Sequence, residues 1–366
     1  MSSLEKRLDN FVNDIVKRDK SIYNATLALS SDKTSFEWSG AAGIAVKEEE
    51  IEITPETPFF IASITKLFTA VLVMKLFEEK KIRLDDKITD YLPDSLLKGI
   101  HIYKGVDYTS SITIKHLLSH TSGIADYFME KTEGGMNFFD TILKFPKKKY
   151  TVDDTIAIAR EQLEPNFKPG TKAKYSDTNY QLLGKIVEKV TGKELHEVYH
   201  EYLLSPLELE NTWLFTRSEP IKESKHPVAE FYYNDQVVSY NKPLETSWAD
   251  GGLISTTEDC LTFLRAVFTG RIIDKQATLP LMHDWKGIGF PLRYGFGTMR
   301  IELPRFMTMF RKMPPVIGHL GSTGTFLLQA SDMELYLVGA INQANSQSKP
   351  VRLVFKLLNL LRKDFS

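Results

Sequence analysis

Phe60-Ile61-Ala62-Ser63-Ile64-Thr65-Lys66-Leu67-Phe68 heads an apolar stretch that runs to Phe77, with Lys66 and Lys75 as its only charges. A helix apolar all round is a buried helix, so the stretch predicts one at the centre of the molecule. One turn separates i from i+3, which sets Ser63 and Lys66 on the same face. A buried lysine without a partner loses its proton readily, because desolvation disfavours the ammonium. A neutral amine one turn from a hydroxyl at a helix N-terminus can activate a serine nucleophile. The same letters also fit a chance serine at a helix start, with the lysine extending its ammonium outward. Ser-x-x-Lys alone discriminates little, since it begins at Ser3, Ser30, Ser63, Ser95, Ser239 and Ser346. Only the copy at Ser63 opens a helix too apolar to face water.

The composition sets bounds around that helix. At 366 residues, with 42% hydrophobic and 25% charged residues, the chain can bury a large core and is ordinary for a soluble globular protein. A net charge of -1 offers no global field for nucleic acid or an anionic membrane. The single Cys260 excludes an intramolecular disulfide. Met1 to Lys20 reads as an amphipathic helix, not a secretory signal with an uncharged apolar centre. The chain therefore reads as cytoplasmic, although an exported protein stripped of its signal would read the same. The run at Ile61–Phe77 is too short and too charged for a membrane span. The basic amphipathic tail from Val351 to Lys363 reads as a helix packed on a sheet, the other option being a membrane surface.

Strand signals lie at both ends of the chain. Asn24–Ser30 and Ser35–Val46 alternate around a turn at Ser31-Asp32. Tyr294–Leu303, Thr325–Ala330 and Glu334–Asn342 are β-type runs near the other end. From Ser63 to about Thr191 helical periodicity dominates, broken by clusters such as Pro165-Asn166-Phe167-Lys168-Pro169-Gly170. The expected fold class is α+β. An antiparallel sheet is flanked by N- and C-terminal helices, with a mainly helical lobe inserted. We expect a single unit over residues 1–366, with a sheet lobe over about 1–62 and 245–366 and a helical lobe over about 63–244.

A serine–lysine pair needs a proton partner and an oxyanion cradle before it can act as a hydrolase site. Tyr175-Ser176-Asp177 follows the Pro169-Gly170 turn and precedes the helical run Leu182–Val190. A tyrosine there can point its hydroxyl into a cleft, or merely plug the gap between loop and helix. Gly318-His319-Leu320-Gly321-Ser322-Thr323-Gly324 offers glycines that admit a close backbone approach at a sheet edge. It also reads as a Gly-rich turn entering a strand. His319 can donate hydrogen bonds and titrates near neutral pH.

Taken in order, Ser63-x-x-Lys66, Tyr175-Ser176-Asp177 and His319-Leu320-Gly321 resemble the penicillin-recognising serine hydrolases of the class C β-lactamase type. That group includes D-alanyl-D-alanine carboxypeptidases, D-aminopeptidases and β-lactamase-like esterases. Further matches are Leu117–Ile124, Pro169-Gly170, Leu182-Leu183-Gly184, Gly251–Thr256 and Tyr294-Gly295-Phe296-Gly297. The resemblance spans about residues 20 to 345. It implies a β-lactamase/transpeptidase-like fold, Ser63 as acyl-forming nucleophile, and Lys66 and Tyr175 sharing the general-base work. It further implies an oxyanion hole from the backbone N–H groups of Ser63 and Ser322, beside Gly321. His319, where many relatives carry lysine, would bind the substrate's acyl or carboxylate side.

The second motif departs from the family by ending in Asp177 where asparagine is usual. An ionised carboxylate only accepts hydrogen bonds. Asp177 could pair with Lys66 and hold it charged, or pair with a protonated His319; either moves proton carrying toward Tyr175. Tyr232-Tyr233-Asn234 and Ser239-Tyr240-Asn241 match the usual pattern more strictly but lack the Pro-Gly lead-in. His196-Glu197-Val198-Tyr199-His200 fits the zinc-protease pattern. Its apolar stripe leaves both histidines roughly 90–130° from the buried face, with no evident third ligand. His120 reads as structural, fixing the Thr121-Ser122-Gly123 loop.

The reading that results is a metal-independent serine hydrolase of a small ester, amide or short peptide, esterase- or peptidase-like rather than a dedicated β-lactamase. No cofactor and no metal are called for. A non-catalytic scaffold on the same fold and a zinc hydrolase using His196 and His200 are the alternatives. The loops Lys104–Ser111, Glu130–Lys149 and Thr216–Pro243 carry no readable chemistry, and nothing in the sequence sets the oligomeric state.

Overall fold

The computed structural model describes residues 3–303, 313–345 and 348–365. The Ser-x-x-Lys copy that begins at Ser346 starts outside them. The first helix, α1 (Ser3–Arg18), buries Leu8, Val12 and Ile15, a spacing of one helical face. The chain then enters a nine-stranded sheet. Its strands are β1 (Asn24–Ser31), β2 (Phe36–Val46), β3 (Ile51–Glu52), β4 (Lys286–Gly289), β5 (Leu292–Tyr294), β6 (Met299–Ile301), β7 (Val316–Gly321), β8 (Thr325–Ala330) and β9 (Leu335–Ala340). Their spatial order is β4-β5-β6-β7-β8-β9-β1-β2-β3, and every pairing is antiparallel. Strands from the two ends of the chain meet where β1 pairs with β9, with Thr26 opposite Ala340.

Two layers cover this sheet. On one face α1 and the closing helix α5 (Ser348–Leu361) pack Leu8, Val12, Val354 and Leu357 against Leu27, Leu328 and Leu337. On the other face lie α2 (Thr65–Glu78), α3 (Asp177–Thr191) and α4 (Thr257–Thr269), which share a core with Ala28, Leu327 and Val338. All of α2 from Thr65 to Met74 is buried, so it is the central helix its composition predicts. Each large apolar side chain on it contributes about 1.5–3 kcal/mol through burial. The architecture is α+β, with an antiparallel sheet between terminal helices and a mainly helical insertion.

Three local expectations change. Ser63 does not sit on the α-helix but in a 3-10 turn, Ala62–Ile64, that leads into α2. The run Tyr294–Leu303 is not one strand: it breaks into β5 and β6 around Gly295-Phe296-Gly297. Gly297 has φ +67°, and a Cβ there would lie 2.2 Å from Ala70 Cβ, so the turn is wedged against α2. The segment around His319 is itself a strand, β7, inside the sheet between β6 and β8.

A second, three-stranded sheet leads into the turn that carries Ser63. Leu253–Ser255 lies between Phe59–Phe60 and Trp213–Leu214. Among the described residues no helix is long and apolar enough to cross a membrane.

Candidate active site

The chain reaches Ser63 through a strained turn. Ala62 has φ +48°, a left-handed conformation that costs a residue bearing a Cβ about 1–3 kcal/mol and persists only where the surroundings impose it. Here the surroundings are two stitches from the sheet. Thr323 Oγ1 donates to Phe60 O and Thr325 Oγ1 donates to Ile61 O, both at 3.1 Å. Ile61 N in turn donates to Leu253 O at 3.1 Å. Gly321 has to lack a side chain, since a Cβ there would stand 2.7 Å from Ile61 O and 3.2 Å from Ala62 Cβ. The β7–β8 turn, with Ser322, is thereby held against the turn that carries Ser63.

Lys66 is fully buried and surrounded by acceptors. Its Nζ donates to Ser63 Oγ at 3.1 Å, to Asp177 Oδ1 and to the Asp250 carbonyl. Burial pulls the amine's pKa down. The charge of Asp177, followed by Tyr175 and Asp250, outweighs burial and holds it above the usual lysine range. Lys66 is therefore an ammonium in the resting site, not the neutral amine that burial alone would give. Asp177 makes the difference, and it pairs with Lys66, not with His319.

Tyr175 closes the constellation. Its ring lies 5.1 Å from Lys66 Nζ and 4.4 Å from the His120 ring. The hydroxyl is shielded from solvent and, among the described residues, makes no hydrogen bond of ordinary geometry, with Lys66 and Ser63 beside it. Burial holds this phenol above the usual tyrosine range, and the Lys66 charge pulls against that without prevailing. The segment is positioned by its neighbours: Ser176 N donates to His120 Nδ1 at 3.2 Å, and Lys174 N donates to His120 O at 3.0 Å. His120 thus anchors the Tyr175 segment as well as belonging to the Thr121-Ser122-Gly123 loop.

His319 does not face the substrate space. It is wholly buried, and its Nδ1–H donates to the Leu320 carbonyl at 2.7 Å. That leaves Nε2 as the acceptor of the Tyr294 hydroxyl at 3.0 Å. Burial, then the Lys66 charge, pushes its pKa down to about 3, so the ring is neutral. The side chain expected to hold an acyl or carboxylate group instead buttresses Tyr294, whose ring meets Tyr175 edge-on at 5.8 Å. What β7 presents to the cavity is Leu320 and Gly321, followed by Ser322 and Thr323 of the β7–β8 turn.

Two buried carboxyl groups were not foreseen. Asp126 Oδ1 accepts from Asp177 N at 3.0 Å and from Phe128 N at 3.1 Å, supplying the helix cap that the Ser176 side chain does not. Burial, then the Asp177 charge, raises the Asp126 carboxyl well above the usual range. Asp250 accepts from the Tyr127 hydroxyl at 2.7 Å, and burial raises it to about 6. Position alone hinted at them. Asp126 follows the Leu117–Ile124 loop and Asp250 precedes Gly251-Gly252, but neither belongs to a motif.

Ser63, Tyr175, Asp177, Asp126, Asp250, Gly321 and Ser322 open together onto one cavity of about 630 Å³. The competing motifs lie elsewhere. Tyr232 donates its hydroxyl to Glu230, and Ser239 is bonded to the Phe231 backbone. His196 is half-buried and His200 exposed, on a short helix (Leu195–Tyr199) that continues as a π-turn. Among the described residues no three His, Cys, Asp or Glu side chains converge into a metal-holding group.

The family model described as Beta-lactamase matches residues 14–359. A teichoic acid D-alanine hydrolase from Staphylococcus aureus is 27% identical over 295 residues, which is 80% of this chain and 64% of that relative's length. A D-stereospecific amidohydrolase from Streptomyces sp. superposes with a TM-score of 0.74 at 26% identity, covering 95% of this chain and 97% of that one. A D-amino acid amidase from Ochrobactrum anthropi SV3 shares the fold over the full length of both chains, with a TM-score of 0.80 at 24% identity.

Proposed function

The chain belongs to the beta-lactamase family, and on that premise we propose that it is a metal-independent serine hydrolase acting on an ester or amide through an acyl-enzyme on Ser63. The observation that carries this reading is the hydrogen bond from Lys66 Nζ to Ser63 Oγ in a desolvated pocket that also holds an uncommitted tyrosine hydroxyl. Ser63 Oγ attacks the carbonyl carbon. Its proton passes to Lys66 as Lys66 gives one of its own to Asp177, so the net acceptor is the Asp177 carboxylate. The backbone N–H groups of Ser63 and Ser322 receive the oxyanion, charge that exists only in the transition state. The Tyr175 hydroxyl donates to the leaving oxygen or nitrogen and recovers a proton from the water that later cleaves the acyl-enzyme, while the proton held by Asp177 returns through Lys66 to Ser63 Oγ as that oxygen departs.

The D-alanine and D-amino acid specificities in the relatives' names favour a D-aminoacyl ester or amide over a β-lactam. Asp177 agrees with that preference. It accepts from Lys66 and cannot donate to a substrate carbonyl as an amide would. Intact-protein mass spectrometry after exposure to an activated short-chain ester, a penicillin and a fluorophosphonate tests the reading. A fluorophosphonate adduct absent from Ser63→Ala, quick release of the ester's acyl group and a lasting penicillin adduct are expected. No adduct with any probe would remove the hydrolase assignment, and rapid penicillin turnover would make the chain a β-lactamase. Asp177→Asn, which keeps the shape but cannot take up the proton, should lower kcat about 100-fold. Undiminished turnover would assign the proton to Lys66 alone.

A further inference from the structure

The walls of the cavity and its charges point the same way. Phe60, Phe128, Phe139, Phe215, Phe231 and Leu244 line the space beyond Ser63. Phe60 packs edge-on against Phe215 at 5.0 Å and Phe231 at 5.3 Å, so this wall is built, not incidental. Four carboxyl groups share the lining: Asp126, Glu130, Asp177 and Asp250. Two lysines pair with these carboxyl groups, and both are engaged. Lys66, fully buried behind the lining, is bound by Asp177. Lys174 at the rim has its Nζ 2.8 Å from Glu130 Oε1 and donates to Asn166 Oδ1. Among the described lining residues there is no arginine, and His319 is turned away into the sheet.

A substrate carboxylate entering this space would lose its water and meet no free cation, whereas an amide or ester group loses far less on desolvation. We propose that the cavity selects substrates whose bound arm is apolar and free of carboxylate, and that Glu130, by holding Lys174, sets that preference. The proposal rests on the hydrolase reading for its substrate class. It separates this chain from any enzyme that trims peptides ending in a free carboxylate. The Asp126 carboxyl responds to the same environment, since burial and then the Asp177 charge raise its pKa well above the usual carboxylate range.

The test is calorimetric titration of the Ser63→Ala protein with N-acetyl-D-phenylalanine amide and with N-acetyl-D-phenylalanine, a pair that differs only in the charged terminus. The amide should bind about tenfold or more tightly than the acid, the size of a single uncompensated charge in a partly desolvated site. Equal or tighter binding of the acid, or no binding of the amide, overturns the proposal. Glu130→Gln keeps an oxygen for Asp126 N and Asn166 Nδ2 but releases Lys174. It should narrow the amide-to-acid ratio by about threefold, as expected for an ion pair near the surface. An unchanged ratio removes Glu130 from the proposal. Binding to Ser63→Ala needs no turnover. A native protein inactive towards esters therefore sinks the hydrolase reading while leaving this result to stand or fall alone.

Discussion

Two helices of this molecule carry letters that match catalytic patterns, Ser63-x-x-Lys66 ahead of α2 and His196-Glu197-x-x-His200 further on. Their surroundings differ completely. Lys66 is fully buried, and three different parts of the chain supply its acceptors. Among the described residues His196 has only Glu194 within ion-pair reach, at 3.4 Å, and His200 is exposed. A pattern becomes a site when tertiary neighbours remove water and commit the remaining hydrogen-bonding groups to one arrangement. Chemistry-bearing residues on a solvated face lack that pressure.

Substitutions can break this contrast or sharpen it. The largest effect belongs to Ser63→Ala, which should cost about 1,000-fold or more in kcat/KM on an ester substrate. Retained turnover would place the nucleophile elsewhere. Tyr175→Phe keeps the ring against His120 and removes only the hydroxyl, so kcat should fall about 100-fold with KM little changed. A fall confined to KM would reduce Tyr175 to a binding group.

Gly321→Ala tests the stitching of the turn that carries Ser63, because the added methyl collides with the Ile61 carbonyl and Ala62. Urea unfolding should show about 1–3 kcal/mol of lost stability. Unchanged stability would mean that the β7–β8 turn can move away at no cost.

His319 adds a pH signature. Its pKa is about 3 in the fold against 6.5 unperturbed, so as pH falls the unfolded chain takes up the proton first. Its contribution to stability is complete above the unfolded value and is lost as pH drops from 6.5 toward 3, by about 1.4 kcal/mol per pH unit. His319→Gln should flatten the slope of unfolding free energy between about pH 6 and 4 by that amount. A slope that stays the same would mean the native ring binds a proton in that range.

The smallest effect is expected at the other motif. His196→Ala with His200→Ala should leave kcat/KM within about twofold, as for surface substitutions remote from a site. A large loss would revive it as a functional element.

Much of the fold was legible because burial writes itself into composition. The unbroken hydrophobics of α2 announce a central helix, and the alternation at both chain ends announces one antiparallel sheet, which the structure joins through β1 and β9. The break between β5 and β6 was hidden, since Gly297 is forced by contact with Ala70, a residue more than two hundred positions away. The aromatic wall was hidden for the same reason. Phe128, Phe215 and Phe231 fall in loops and Phe139 on a short helix, Phe138–Lys144, so no common periodicity links them and only folding gathers them.

By itself, the sequence determined the helix-and-sheet layering and the presence of Asp177 in place of an amide, and it brought forward Ser63, Lys66 and Tyr175 as candidates. These follow from local periodicity and from residue types whose chemistry is intrinsic. The tertiary structure alone decided that Lys66 rests as an ammonium, that His319 is a neutral strut behind Tyr294, and that the cavity is apolar and carboxylate-rich. Those are properties of distance and desolvation between groups far apart in the chain, and Coulomb energy and burial have no value until the fold sets both.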